Sequence, residues 1–250
     1  MSELLQPTDD ERLCVRRRPE RRHVMYQRWE QLLFLHWKWD PEEIQKTLPP
    51  GLYVDTFGGS AWVGLVPFYM RAVRPRYLPE VPTLSNFLEV NLRTYVHDGQ
   101  GRPGVWFYSL DCNQPVAVKV ARTFFHIPYY HAEMRVTEDA GRVHYTSRRH
   151  GDAATSVFDY HLSRETKLAE PGTPEFFLVE RYLLFAQTRN GLRWGQIYHT
   201  PYPVAQAEVS HFDTRLFELN DFAPPTRPPD HVMGSPSVSV IFYALQQVGG

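Results

Sequence analysis

Three polar residues of different chemistry sit at alternate positions in the stretch FLEVNLRTYV, residues 87–96. Its period of two is the mark of a strand, with Leu88, Val90, Leu92, Thr94 and Val96 on one face. The other face reads Phe87, Glu89, Asn91, Arg93 and Tyr95. Together Glu89, Asn91 and Arg93 can bind one small polar molecule: the guanidinium clamps a carboxylate, the amide fixes orientation and the carboxylate takes up a proton. From periodicity alone, an exposed face with a Glu–Arg pair, worth under ~1 kcal/mol, fits equally well.

Other candidates stand further along. Lys119 and Arg122 lie three residues apart in PVAVKVARTFF, on one side of it if it is helical. Tyr129 and Tyr130 follow Pro128, and ordinary aromatic packing is their plainer role. Trp194, Gln196 and Tyr198 share one strand face, which suits a pocket wall as well as a packed core. The adjacent charges of Glu180-Arg181-Tyr182 read by default as a surface ion pair. Cys112, beside Asp111, is a nucleophile or, with no evident His partner, a small buried apolar residue.

The elements that carry these residues are mostly strands. With 21 Pro and 15 Gly, the chain is punctuated too often for long helices. WEQLLFLHWKW (29–39) is apolar on both faces, as in a strand buried on two sides. Asp40-Pro41-Glu42-Glu43 predicts a helix start, and Thr173-Pro174-Glu175 another. Residues 52–57 and 61–73 predict a hairpin whose second arm is interrupted at Pro67. Residues 104–111 return beside the opening strand, and PVAVKVARTFF is read as a helix although its β-branched residues also allow a strand. Hairpins follow at 129–149 and at 182–198, the latter around Asn190-Gly191. Strands at 155–162, 204–212 and 237–245 complete the set. This is an α+β chain: a large curved, mostly antiparallel β-sheet or barrel with a few short flanking helices. A large barrel encloses a cavity.

The 250 residues suffice for one domain with a substantial core. Hydrophobic residues make up 42%, and no apolar run reaches the ~18 residues of a membrane helix, so a soluble protein is expected. A net charge of -1 gives no reason to expect nucleic acid as a partner. Residues 1–23, with RRRPERR at 16–22, read as a disordered or loosely docked basic arm without a secretory apolar segment, leaving 24–250 as the folded domain. Two distant cysteines form no disulfide framework and suit a reducing cytoplasm. His126 with His131, and His199 with His211, lack zinc-like spacing, and no metal is expected. GxSxG, HExxH, Walker and GxGxxG signatures are all missing, and no cofactor is expected.

The order FLEVNLRTYV, GVWFYSLD, VKVARTFFHIPYY, FLVERYLLFAQ resembles the bacterial YqjF-like family of the acetoacetate decarboxylase-like superfamily, over about residues 26–245. The resemblance implies a curved, barrel-like fold around an internal cavity, and a homo-oligomer, without a defined activity. Decarboxylases of that superfamily use a Schiff-base lysine beside a second lysine. Arg122 and Pro128 match their motif, but the paired-lysine positions fall on Tyr129 and Tyr130, so the nucleophile is missing there. Glu89 looks similar to a cavity glutamate of those enzymes. Of the four lysines, Lys38, Lys46, Lys119 and Lys167, Lys119 alone lies near the matching segment. On this reading a small carboxylate or carbonyl compound is the ligand. Arg93 and Arg122 hold its anion, Asn91 orients it, Glu89 carries a proton, Tyr129 or Tyr130 donates a hydrogen bond and Trp194 walls the pocket. Lysine-independent lyase or hydrolase chemistry, non-catalytic binding or sensing, and an interaction role for the basic arm are the competing functions.

Overall fold

Turn-forming residues cut the chain into short pieces, and strand pairing joins them again. The computed structural model describes residues 6–248. Its strands are β1 (His23–Trp39), β2 (Leu52–Val54), β3 (Ala61–Pro75), β4 (Phe87–Asp98), β5 (Pro103–Cys112), β6 (Tyr129–Asp139) and β7 (Arg142–Arg149). They continue as β8 (Ser156–Leu168), β9 (Leu183–Thr188), β10 (Gly191–His199), β11 (Pro203–His211), β12 (His231–Tyr243) and β13 (Gln246–Gln247). The helices are all short: α1 (Asp9–Val15), α2 (Pro41–Thr47), α3 (Pro82–Ser85), α4 (Pro115–Val120), α5 (Pro174–Val179) and α6 (Arg215–Glu218). Among the described residues no helix is long and apolar enough to cross a membrane.

All thirteen strands belong to one sheet. Pairing is antiparallel except where β5 meets β6 and β9. Tracing the pairs β1–β3–β4–β5–β9–β10–β12 and back to β1 closes a circuit, so the sheet curls around an interior. Two large apolar clusters lie against its two faces. One gathers Leu33, Leu88, Val90 and Leu92 with Tyr145 and Phe158. The other includes Leu32, Val66, Phe68 and Phe87, on the inner side.

The α2 and α5 starts form as their sequences require: Asp40 Oδ1 accepts from Glu42 N at 2.8 Å, and Thr173 Oγ1 accepts from Phe176 N at 3.3 Å. PVAVKVARTFF is helical, α4 running into a π-helical turn (Ala121–Phe125) that ends at His126 with φ 52°. Pro67, by contrast, does not interrupt β3. It pairs with Val90 on β4, while on its other side β1 bulges between Glu30 and Leu35, with Gln31 at φ 52°. A proline is tolerated where the neighbouring ladder is already broken.

The basic arm is a second correction. Residues 1–5 lie outside the described ones, but from Gln6 on the segment is docked rather than disordered. Thr8 and Glu11 form a reciprocal capping box for α1. Arg12 Nη2 reaches both carboxylate oxygens of Asp55, at 2.7 and 2.9 Å. Arg18 and Arg21 lie over Tyr198 and Trp194, 5.5 and 5.6 Å from the ring centroids, and Gln196 Nε2 donates to Val15 O at 3.1 Å. An arm without apolar periodicity thus docks through guanidinium contacts, which hydrophobic patterning does not register.

The parallel contact of β5 with β9, which closes the circuit, consists of Val105↔Leu184 and Trp106↔Phe185. Gly104 precedes it, and a Cβ there would stand 2.7 Å from Phe185 Cε2 and 2.8 Å from the Leu183 carbonyl oxygen. Since backbone cannot yield as a side-chain tip can, Gly104→Ala is expected to destabilise the protein by about 1–3 kcal/mol. Urea unfolding measures this; an unchanged midpoint would mean that the closure tolerates widening.

Candidate functional site

β4 is buried along its entire length. Its Leu88, Val90 and Leu92 face enters the apolar core, so the opposite face must satisfy Glu89, Asn91 and Arg93 inside the protein. All three line a cavity of about 460 Å³ enclosed by the curled sheet and α4. Tyr129, at the start of β6, joins them there and donates from Oη to Glu89 Oε2 at 2.6 Å. Asn91 Nδ2 makes a longer contact, 3.4 Å, with Glu89 Oε1.

Burial raises the Glu89 carboxyl from 4.5 to about 7, against the opposing effects of the Tyr129 and Asn91 hydrogen bonds and the Arg93 charge. Burial and the neighbouring carboxylate push the Tyr129 phenol well above its ordinary value, so it keeps its proton and remains a donor. A carboxyl that titrates near neutrality beside a fixed donor is suited to proton transfer in either direction.

Arg93 is held from behind. Its Nη2 donates to Tyr95 Oη at 3.2 Å, and that phenol lies 2.6 Å from His36 Nε2. Burial keeps His36 well below 6.5, hence neutral, and the Tyr95 phenol bridges the guanidinium and the imidazole. Gly64 makes room for the imidazole, since a Cβ there would stand 2.9 Å from the ring. Arg93 Nε and Asn91 Oδ1 have no partner although both side chains are buried. Both belong to side chains that line the cavity, although these two atoms themselves are closed off from it.

Arg181 is the residue that sequence reasoning misassigned. Glu180, Arg181 and Tyr182 are not a surface pair; all are buried, and Arg181 lines the cavity. Its Nη1 lies 2.5 Å from Asp55 Oδ2, and its Nε donates to the Phe177 carbonyl at 2.6 Å. Asp55 therefore serves two guanidiniums, Arg12 and Arg181, and the trio carries a net positive charge. Glu180 accepts from Tyr182 and does not line the cavity. The signal was present in FLVERYLLF, a charged pair embedded in an apolar run.

Three of the expected site residues stay outside. Tyr130 alternates with Tyr129 on β6, so it faces away, 39% exposed, stacked under Arg149 at 4.1 Å. Arg122 is exposed, while its neighbours Ala121 and Phe125 line the cavity. Trp194 lies on the opposite face of β10 from Ile197, which lines the cavity, and it receives the arm instead. Lys119 is exposed, and Val116, Ala117 and Val120 of α4 face inward in its place. Burial drives the Cys112 thiol pKa up, which leaves it a small apolar residue rather than a nucleophile. Among the described residues no three His, Cys, Asp or Glu side chains gather as a metal-ligand set.

Because Glu89 holds its proton more tightly in the folded protein than in the unfolded chain, its contribution to stability is complete below about pH 4.5 and is lost as pH rises through about 7. Over that window the loss is on the order of 3 kcal/mol. Glu89→Gln should remove this slope, so urea unfolding followed from pH 4.5 to 8 should show the two proteins diverging. Parallel pH profiles would mean that Glu89 titrates normally.

The fold and the family are both recognisable from known proteins. An acetoacetate decarboxylase from Legionella pneumophila superposes with a TM-score of 0.61 at 10% identity, covering 99% of this chain and 98% of that one. The enduracididine biosynthesis enzyme MppR, solved in complex with pyruvate, superposes with a TM-score of 0.59 at 14% identity over 91% of both chains. In sequence, the uncharacterized protein YqjF of Bacillus subtilis (strain 168) is 38% identical over 190 residues, 75% of this chain and 78% of the relative. Residues 26–239 match DUF2071, described as an uncharacterized conserved protein, and the chain belongs to that family, on an acetoacetate decarboxylase-like fold.

Proposed function

We propose that the cavity binds a small compound bearing a carboxylate or carbonyl group and transforms it without a lysine nucleophile, as a lyase or hydrolase. The observation that carries this reading is the convergence of Glu89, Asn91, Arg93 and Tyr129 in one cavity. Charge supports an anion. Arg93 and Arg181 are the lining cations, Arg181 shares Asp55 with Arg12, and Glu89, raised to about 7, is partly neutral at physiological pH. A buried excess of positive charge is relieved by an incoming carboxylate. In this scheme Arg93 clamps the anion, Asn91 orients it, Tyr129 donates to a carbonyl or to Glu89, and Glu89 moves the proton. The complex of MppR with pyruvate, a small 2-oxo acid, agrees in ligand chemistry.

A second reading, binding without turnover, is favoured by one observation: among the described residues no lysine lines the cavity, and Cys112 is not activated. The two separate experimentally. With a panel of 2-oxo and 3-oxo acids, binding followed by calorimetry should weaken about 10- to 100-fold in Arg93→Gln, the range for losing a charged hydrogen bond. Borohydride reduction should leave the intact mass unchanged. Turnover seen by NMR in the native protein and lost in a folded Glu89→Gln variant identifies an enzyme; ligand recovered unchanged identifies a binding protein. Equal affinity of native and Arg93→Gln proteins for every acid defeats both.

A further inference from the structure

Beyond its polar end, the cavity is almost wholly hydrocarbon. The charged side chains lining it among the described residues are Glu89, Arg93 and Arg181, and the long walls are aliphatic and aromatic, with Trp29, Phe68, Met70 and Phe107 among them. Its volume of about 460 Å³ equals roughly fifteen waters at about 30 Å³ each. A three-carbon acid held at Arg93 would leave most of that wall without contact. Water is a poor filler there, because a buried water needs two or more polar partners and these walls supply few, Gln27, Ser85 and Tyr202 among them.

The outer end has its own signature. Leu78, Val81, Leu84 and Val116 line the cavity and are at the same time 57%, 43%, 40% and 51% exposed. They come from the connection between β3 and β4, which carries α3, and from the first turn of α4. Tyr77 and Phe124 nearby in sequence are 77% and 69% exposed. Large apolar side chains that both border an apolar cavity and face solvent mark where an apolar ligand enters or protrudes.

We infer that the ligand is an amphiphilic monocarboxylic acid of medium chain length, its carboxylate at Arg93 and its hydrocarbon body along the apolar wall toward the Leu78–Val81–Leu84–Val116 rim. This rests on the anion-binding reading of the same site and adds the body of the molecule to it. Chain length then sets affinity, since each added methylene exchanges water for the wall. A second charge on the body is disfavoured, because away from Glu89, Arg93 and Arg181 the wall offers it no charged partner.

The test is calorimetric titration of the full chain at pH 7 with acetate, butanoate, hexanoate and octanoate, and with octan-1-ol as the uncharged counterpart. Affinity should rise about four-fold per methylene, roughly four-thousand-fold over the six methylenes from acetate to octanoate. Leu84→Lys and Val116→Glu, both at exposed positions, should weaken octanoate at least ten-fold while changing butanoate little. Affinity that is flat with chain length overturns the inference and leaves the anion reading standing. Octan-1-ol binding as tightly as octanoate overturns the anion reading and with it the carboxylate head. Failure of every acid overturns both.

Discussion

A strand buried on both faces cannot leave its polar side chains to water, and β4 is such a strand. Flanked by β3 and β5, with one face packed against the outer core, it can keep Glu89, Asn91 and Arg93 only if the space before them is itself part of the structure. The curled sheet supplies that space. The β1 bulge opposite Pro67, the narrow β5–β9 contact and the π-helical turn after α4 all bear on how the sheet and its covering helix bend around it.

The low-dielectric surroundings that make these groups costly to bury also set their chemistry. Glu89 sits in a mostly apolar chamber, and burial outweighs its hydrogen bonds and the nearby guanidinium, so its carboxyl moves toward neutrality. Arg93 stays oriented because Tyr95 and His36 stand behind it at 3.2 and 2.6 Å in sequence along the chain of bonds. Such a relay fixes the direction of a cation without neutralising it. Asp55 does the opposite for Arg181, and because Arg12 shares the same carboxylate, the docked N-terminal segment is electrostatically linked to the cavity wall.

Legibility in the sequence followed the range of the interaction. Period-two alternation marked β4, and capping residues marked the starts of α2 and α5, because both signals are local. Glu89, Asn91, Arg93 and Tyr129 were readable as one group once a cavity-bearing fold was implied. Tyr130 and Trp194 were not distinguishable from true lining residues, since strand parity relative to a closed sheet depends on which face curls inward. Arg122 shares the outward side of its segment with Lys119, three residues before it, and which side faces inward depends on how the segment docks on the sheet, for which there is no local signal. Arg181 and the arm were missed because their partners, Asp55 and the β10 aromatics, are more than a hundred residues away in sequence.

Where the resemblance to the decarboxylases would put paired lysines after Pro128, this chain has Tyr129 and Tyr130, and only Tyr129 lines the cavity. The chamber already holds the cations Arg93 and Arg181, and the Tyr129 phenol adds to it a neutral donor that hydrogen-bonds the Glu89 carboxylate at 2.6 Å. With the phenol held protonated and Glu89 near neutrality, the wall offers a donor, a proton carrier and one firmly oriented guanidinium. Those three groups can polarise a bound carbonyl and exchange a proton beside it. None of them is an amine, so none can form an imine with a bound carbonyl.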